Sequence, residues 1–358
     1  MNMSDRKIRV KVLSRVSEKE WGRYFPNQDG IWGNCLFLFG TDERSYDWLV
    51  VYNDLPARAG ERFTLNEEVL ACPGSNTLLV TYEPSNVKVY GREYTSQFGH
   101  VLTSQEEWAL PHPHRIYSQP ALNWYYGVSP GRIINWQELK ALKPDKPRLI
   151  STVCASKQHE TKVHVQRNRL IEMLKPRLPE LEIFGRGVRP VDDKAEAIDE
   201  FKYHIAVENF IGRHHWTEKL SDCFLGFALP IYAGCTNTED YFPEESFMQI
   251  DITNTEESVD IINKEIRDNT YESRFPAILE ARRRVLEEYN FFAVVARIIE
   301  DRHQTGNAAN TTIRSRRAVL SNSVLTALNH VIFKSYVKAR HFLKKNGQDL
   351  QEDQNNKF

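Results

Sequence analysis

Apolar runs of strand length recur through the first part of the chain, each bounded by polar or turn-forming residues. Such runs predict β-strands, because a strand buried in a sheet needs apolar side chains only over its short length. The predicted strands are residues 7–13, 35–40, 47–56, 78–91 and 100–104. Loops and short segments connect them, which favours a parallel sheet in an α/β domain.

The pattern changes at residues 141–148, ALKPDKPR, which carry two prolines, mixed charge and no apolar period. This composition is typical of a linker. Residues 148–153 then predict a new strand, and residues 164–178 predict an amphipathic helix. A chain of 358 residues is long enough to bury two cores. We therefore expect an N-terminal α/β domain over 1–140 and a second domain over 149–303.

Residues 201–251 carry the clearest pattern in the chain. A β-prone run, His204 to Val207, stops at Glu208-Asn209, and a loop leads to Thr217. Thr217 is a good helix N-cap, because its hydroxyl can accept a hydrogen bond from an amide that the first helical turn leaves unpaired. The apolar residues that follow at helical spacing are Leu220, Cys223, Phe224 and Phe227. Leu229 to Ala233 predict the next strand, which completes the repeating unit of a doubly wound sheet.

Four polar residues of this stretch stand where such a unit binds ligands: Glu208, Asn209, Glu218 and Lys219. The loop after a parallel strand faces the binding crevice, and the next helix directs its positive end there. A lysine in the first turn is unfavourable beside that positive end unless an anion, such as a diphosphate, lies between them. Alone, Thr217-Glu218-Lys219 is better explained as a cap and a solvated charge, but the whole segment favours binding.

The order of these short motifs resembles the donor-binding signature of glycosyltransferase family 10, the α1,3/4-fucosyltransferases. The matching residues are Ile205-Ala206-Val207-Glu208-Asn209, Thr217-Glu218-Lys219, Ala228-Leu229-Pro230-Ile231 with Gly234, Tyr241-Phe242-Pro243, and Ser246-Phe247. The sequence departs from the family pattern at His215, where the family has Tyr, and at Phe210, where it has Ser. The contact to the donor's base or ribose therefore differs from the family pattern.

The resemblance implies an α/β fold of the GT-B type, with two Rossmann-like domains facing a central cleft and a C-terminal helical tail. It implies GDP-fucose as the donor substrate, with no required cofactor. Glu208 and Asn209 would line the phosphate and sugar end of the donor, and Thr217 and His215 would complete that side of the site. Glu218 would accept hydrogen bonds from the ribose hydroxyls.

Two cations would stabilise the leaving diphosphate in this interpretation. Lys219 would supply a compact charge, and an arginine of the preceding helix would supply a bidentate fork. Counting back from Leu174, as the resemblance implies, gives Arg167, with Arg169 as the competing choice. The sequence contains no Asp-x-Asp motif, so we expect no metal in the site.

An inverting transfer needs a base that takes the proton of the acceptor hydroxyl as the new bond forms. In the resembled family this base is a Glu in an E-S-P-like turn of the N-terminal domain. Glu83-Pro84-Ser85 is a loose match at the end of a predicted strand, so Glu83 is our candidate. Glu93 and Asp54 are the reserves.

The C-terminal part, 304–358, is predicted to be a joint, a helix over 314–345 and a disordered tail. That helix combines an apolar side with eight basic residues, whereas the whole chain has a net charge of −1. Two interpretations fit equally: the helix binds an anionic membrane surface, or it packs on the protein or another copy. The near-zero charge gives no argument for nucleic-acid binding.

The chain opens without an apolar segment, and its five cysteines form no C-x-x-C pair, so we expect a cytoplasmic protein, peripheral to the inner membrane face if the helix binds lipid. The function we expect is an inverting transfer of fucose from GDP-fucose to a hydroxyl of a surface glycan or lipooligosaccharide. The alternatives are a transferase with a different nucleotide sugar and a nucleotide-sugar-binding protein without catalysis.

Overall fold

The structure is a computed structural model that describes residues 6–57, 64, 66–121, 123–143, 145–154, 162–309 and 311–345. The chain divides into two compact units. Unit 1 consists of Met1–Arg15, Cys35–Pro120 and Asp301–Phe358, and unit 2 of Val16–Asn34 and Ala121–Glu300. The predicted tail residues 348–358 lie outside the described residues.

The strands follow one another through both units. In chain order they are β1 (Ile8–Leu13), β2 (Ile31–Trp32), β3 (Cys35–Leu38), β4 (Trp48–Tyr52), β5 (Glu67–Val69), β6 (Thr77–Val80), β7 (His100–Thr103), β8 (Arg115–Tyr117), β9 (Val128–Ser129), β10 (Arg132–Ile133), β11 (Arg148–Val153), β12 (Leu181–Phe184), β13 (Phe201–Gly212), β14 (Leu229–Cys235), β15 (Met248–Gln249) and β16 (Thr312–Arg314).

The α-helices lie between these strands and dominate the last third of the chain. They are α1 (Glu18–Gly22), α2 (Arg92–Thr95), α3 (Trp136–Ala141), α4 (Lys162–Leu174), α5 (Glu218–Leu225), α6 (Thr255–Arg267), α7 (Tyr271–Glu287), α8 (Phe291–Arg302), α9 (Arg316–Ser321) and α10 (Val324–Lys345).

Unit 1 is built on a parallel sheet with the strand order β3-β1-β4-β6-β7-β8. The strands predicted at 7–13, 35–40, 47–56 and 100–104 are confirmed as β1, β3, β4 and β7. The run 78–91 forms a strand only as far as Val80, and its remainder is loop. All of β4 is buried, which explains its continuous apolar sequence, WLVVY.

The described residues of the C-terminal segment belong to unit 1. β16 pairs antiparallel with β5, and Ile313 is buried in the core of unit 1. Asn76 donates to the Gln304 carbonyl at 2.8 Å and accepts from the Gln304 amide. These contacts join residues that are far apart in sequence.

Unit 2 contains a second parallel sheet, in the order β12-β11-β13-β14-β15. If the strands are counted from β11, the order is 2-1-3-4-5, that of a doubly wound sheet whose direction of winding reverses between β11 and β13. Ligands of such sheets bind at the carboxyl ends of the strands at this reversal. The end of β13, at Glu208 and Asn209, is one side of it.

Two helices, α7 and α8, follow one another along the chain, and Asn290 caps the second: its Oδ1 accepts from the Phe292 amide at 2.9 Å. The helix expected over 314–345 is β16, α9 and α10. Arg282 of α7 is buried, and its guanidinium donates to the carbonyls of Leu225 and Leu139.

Candidate functional site

The regular pairing between β13 and β14 ends just before the candidate site. Val207 pairs with Ala233, and the register then shifts before Gly212 pairs with Cys235. The irregular stretch holds Glu208 and Asn209, so the polar pair lies where the strand leaves the ladder. A bulge of this kind is a common device for redirecting side chains next to a site.

Thr217 caps α5, as predicted, with its Oγ1 accepting from the Lys219 amide at 3.3 Å. Thr217 also donates two hydrogen bonds to the Glu208 carboxylate, from its amide at 2.8 Å and from its hydroxyl at 2.7 Å. Glu208 is 0 % exposed, and burial raises its pKa although Lys219 opposes the shift. Glu208 thus supports the helix cap from inside the protein.

Glu218 and Lys219 form an ion pair at the start of α5. Lys219 Nζ lies 3.0 Å from Glu218 Oε1 and 3.6 Å from Glu208 Oε2. Burial opposes ionisation of Glu218, but Lys219 and Lys194 lower its pKa to about 2. Burial likewise opposes a charged Lys219, but Glu208 and Glu218 hold its pKa above the usual value. Both side chains are therefore ionised across the physiological range, next to the amide end of a helix.

Two further charged residues complete this cluster, and the sequence patterns did not identify them. Lys194 Nζ lies 3.1 Å from Asp222 Oδ2 and 3.4 Å from Glu218 Oε1. Asp222 is 1 % exposed, and its Oδ1 accepts from the amides of Tyr125 and Tyr126 at 3.1 Å each. The only sequence signal was the spacing of Glu218 and Asp222, four residues apart and so on one face of a helix.

The preceding helix, α4, contributes the candidate arginines. Arg167 is partly buried, and its Nε is shielded from solvent without a hydrogen bond to any described residue. Arg169 is exposed. A buried donor without a partner is unfavourable in the unliganded protein and suits a ligand oxygen, so the geometry favours Arg167 over Arg169. The same helix contacts Asn209, whose Oδ1 lies 3.2 Å from His164 Nε2.

His215 is buried. Its ring is 3 % exposed and packs edge-on against Phe210, with centroids 5.3 Å apart. Burial and the Lys219 charge lower the pKa of His215 to about 4, so the ring is neutral at pH 7. The two positions where the sequence departs from the family pattern are thus in contact with one another.

In unit 1, Glu83 follows β6 by three residues, at the carboxyl edge of the sheet. Its loop is fixed by Gln105, whose amide donates to the carbonyls of Glu83 at 2.7 Å and Lys88 at 2.9 Å. Asn53, which ends β4 with a φ of 73°, accepts from Lys88 and from the Tyr90 hydroxyl. A non-glycine residue in this left-handed conformation at a strand end is a frequent mark of a functional loop.

The two reserve carboxylates occupy different settings. Asp54 Oδ1 accepts from the amides of Leu55 and Arg316 at 2.9 and 3.0 Å, so it anchors the start of α9. Glu93 lines a cavity of about 480 Å³ between α2 and α10.

Among the described residues there is no group of three or more His, Cys, Asp or Glu side chains that could hold a metal ion. Within the same part of the chain, no helix is long and apolar enough to cross a membrane.

Comparison with known proteins places a family match on this site. Residues 144–275 match the model of "Glycosyltransferase family 10 (fucosyltransferase) C-term". The alpha-(1,3)-fucosyltransferase FucT of Helicobacter pylori is 32% identical over 73 residues, which are 20% of this chain and 15% of that protein. The chain thus aligns with less than a sixth of that relative's length.

Solved structures give a weaker likeness. A structure described as alpha1,3-fucosyltransferase with GDP covers 81% of this chain and 94% of its own, with a TM-score of 0.45 and 15% identity. One described as alpha1,3-fucosyltransferase with GDP-fucose covers 93% and 90%, with a TM-score of 0.41 and 12% identity.

Proposed function

We propose that this protein is a glycosyltransferase that transfers fucose from GDP-fucose to a hydroxyl of a glycan, with inversion at the anomeric carbon; the match of residues 144–275 to the model of glycosyltransferase family 10 supports the proposal. The observation that carries the proposal is the ion pair of Glu218 and Lys219 on the first turn of α5, inside the matched segment. The Glu218 carboxylate can accept hydrogen bonds from ribose hydroxyls, and the Lys219 ammonium can pair with a diphosphate.

Donor binding follows from this arrangement. The amides at the start of α5 and the Lys219 ammonium together stabilise the negative charge that grows on the diphosphate as the bond to the sugar breaks. Arg167 supplies the planar fork that phosphate oxygens accept. Glu208 fixes Thr217 by two hydrogen bonds and lies 3.6 Å from Lys219. His215 and Phe210, which pack against each other, form the neighbouring side of the proposed donor site.

The chemical step is a single displacement. The acceptor oxygen bonds to the anomeric carbon of fucose, the bond from that carbon to the diphosphate oxygen breaks, and GDP leaves with the electron pair. Glu83 takes the acceptor's proton, since a carboxylate on a fixed loop is a suitable base for a hydroxyl whose acidity rises as the bond forms.

The acceptor we propose is a surface polysaccharide or a lipooligosaccharide intermediate. α10 supports this, because its two faces differ. One face packs on unit 1, where Val337 is fully buried and His341 Nε2 lies 2.8 Å from Ser85 Oγ. The opposite face exposes Val324, Leu325, Leu328, Val331, Ile332, Tyr336 and Phe342.

We propose that this exposed face binds an anionic membrane. Lys334 and Lys338, both exposed, lie one turn apart between the apolar face and the packed face. Apolar side chains flanked by lysines suit the interface of an acidic bilayer, where each lysine contributes about 1 kcal/mol. The protein would then be peripheral to the cytoplasmic face of a membrane, where lipid-linked glycans are built.

A donor screen tests the proposed activity. The full-length protein is mixed with GDP, UDP, CDP and the corresponding nucleotide sugars, and its melting temperature and the release of free sugar are measured. We expect GDP and GDP-fucose to raise the melting temperature most, because a ligand that binds only the folded state stabilises it, and GDP-fucose to be slowly hydrolysed. Preference for another nucleotide would indicate a different donor, and binding without hydrolysis or transfer would indicate a binding protein.

Vesicle co-sedimentation tests the membrane proposal. Leu328→Gln with Ile332→Gln, and separately Lys334→Gln with Lys338→Gln, should each reduce binding to phosphatidylglycerol vesicles, whereas Leu279→Gln, at an exposed apolar position of α7, should not. Equal binding by all variants would contradict the proposal. A dimer in solution that these substitutions dissociate would assign the face to a second copy.

A further inference from the structure

The position of Lys194 beside the proposed donor site is fixed by two hydrogen bonds of its neighbour, Asp193. Asp193 Oδ1 accepts from the Ala195 amide at 2.8 Å and from the Gly127 amide at 2.9 Å. Lys194 therefore begins a short 3₁₀ turn, Lys194–Ala197, whose position is fixed against the 127 loop. Its side chain is only 26% exposed, so most of it packs against the protein while its ammonium reaches Glu218.

The ammonium of Lys194 shares one carboxylate oxygen with Lys219. Glu218 Oε1 lies 3.4 Å from Lys194 Nζ and 3.0 Å from Lys219 Nζ. Lys219 also faces Glu208, and Lys194 also faces Asp222. Three carboxylates and two ammonium groups thus form one connected cluster in unit 2.

This sharing matters when a diphosphate arrives. If Lys219 turns toward the phosphates, Glu218 loses the nearer of its two cations. A largely buried carboxylate without a cation would take up a proton or turn away, and either change weakens a hydrogen bond that it accepts. Lys194 remains at Glu218, since its backbone is held and its second partner, Asp222, is fixed by two amides.

We propose that Lys194 is a positioning residue of the donor site: it keeps Glu218 ionised and directed at the ribose hydroxyls while Lys219 neutralises the diphosphate. This inference rests on the proposed function, because it assumes that Glu218 binds the ribose and Lys219 the phosphates.

A purely structural role makes a different prediction. In that case Lys194 only neutralises Asp222, which orders the backbone at Tyr125 and Tyr126. Its loss would lower the melting temperature and weaken all nucleotides alike. The positioning role instead couples Lys194 to the ribose hydroxyls, so its loss should affect ligands that carry them more than ligands that lack them.

The experiment measures the affinities of GDP and 2′,3′-dideoxy-GDP by calorimetry. We expect the native protein to prefer GDP by about tenfold or more, the usual contribution of hydrogen bonds to a charged acceptor. In Lys194→Met this preference should fall to about threefold or less. Lys202→Met is the matched control, because Lys202 is also 26% exposed and pairs with Glu272 at 2.9 Å; it should keep the native preference.

Asp222 needs its own control, because Lys194→Met leaves a buried carboxylate without a cation and can prevent folding. Asp222→Asn removes that charge and keeps the oxygen that accepts from the two amides. The preference for GDP should persist in Asp222→Asn and be lost when Lys194→Met is added. Lys194→Arg should restore most of it.

Retention of the native preference in Lys194→Met, or in the double variant, would overturn the inference and leave the proposed function intact. Equal weakening of both nucleotides would also overturn it in favour of the structural role. If the native protein itself shows no preference for GDP over its dideoxy analogue, the assignment of Glu218 fails, and with it the proposed function of the site.

Discussion

The lysines at the carboxyl edges of the two sheets differ in what surrounds their charge. In unit 2, Lys219 and Lys194 lie within 3.6 Å of carboxylate oxygens, which hold their pKa above the usual value although burial opposes this. In unit 1, Lys88 donates to the neutral amide oxygen of Asn53. Burial, and then the nearby Arg316 charge, lower the pKa of Lys88 to about 8.

The difference shows two ways of preparing a polar site. A lysine with carboxylate neighbours stays charged at every physiological pH. It can bind an anionic ligand by leaving a carboxylate and pairing with the ligand instead. Lys88 donates to a neutral amide oxygen, and the Asp54 and Glu83 carboxylates only partly offset its burial, so it is close to titration and its surroundings change with pH. The donor side of this protein is therefore expected to be insensitive to pH, and the region of Glu83 to be sensitive to it.

The largest effect is expected at the end of β6, from Glu83→Gln. If Glu83 is the base, this change should lower transfer by roughly two to four orders of magnitude, the usual contribution of general base catalysis. GDP affinity should stay native, because unit 2 holds the proposed donor contacts. Transfer rates with a glycan acceptor and calorimetry with GDP measure the two quantities.

The control for this change is Glu93→Gln, which alters a carboxylate of the same unit that lines the cavity between α2 and α10. Native-like transfer by Glu83→Gln together with a large loss in Glu93→Gln would move the role of base to Glu93. A loss in Asp54→Asn is less informative, since Asp54 anchors Arg316 at the start of α9.

The next effect is expected in unit 2. Lys219→Met should weaken GDP by roughly 10- to 100-fold, the contribution of hydrogen bonds to charged groups, and guanosine, which lacks phosphates, should bind as before. Unchanged GDP affinity would remove Lys219 from the diphosphate site. Lys202→Met serves again as the control for a lost lysine charge.

Local patterns predicted the parts of this molecule that depend on neighbours in sequence. The apolar period predicted α5 and its cap at Thr217, and runs of apolar residues predicted β1, β4 and β11. The burial of Arg282 was not predictable, because its partners are the carbonyls of Leu225 and Leu139, whose positions depend on the tertiary fold.

The candidate site shows the same limit. Motif order identified Glu208, Glu218 and Lys219, but it could not show that Glu208 faces inward, since that depends on the Thr217 hydroxyl above it. Motif order did not identify Lys194 and Asp222, for a related reason. They meet through the turn at Asp193, and no spacing rule links a 3₁₀ turn to a helix that begins more than twenty residues later.

A smaller effect should separate the two arginines of α4. Arg167→Met should weaken GDP by about tenfold, the contribution of one charged hydrogen bond, without lowering the melting temperature of the unliganded protein, since the Arg167 Nε makes no hydrogen bond to a described residue. Arg169→Met, at an exposed position, should change neither quantity. The reverse result would assign the phosphate contact to Arg169.

The smallest effect concerns stability and directly tests the difference between Lys88 of unit 1 and the lysines of unit 2. Lys88 has a folded-state pKa of about 8, below the value of about 10.4 expected in the unfolded chain. Between these two values the unfolded state binds more protons than the folded state, so the stability of unit 1 should rise with pH relative to a protein without this lysine. Melting temperatures of the native protein and Lys88→Met, measured from pH 7 to 10, should therefore differ most at pH 7, with the variant more stable, and the difference should shrink steadily as the pH rises from 8 towards 10. Lys219→Met is the opposing control: the pKa of Lys219 is raised, so its contribution is constant over this range and is lost only above the unfolded-state pKa. Parallel melting curves for native protein and Lys88→Met would show that the lysine of unit 1 is as well compensated as those of unit 2.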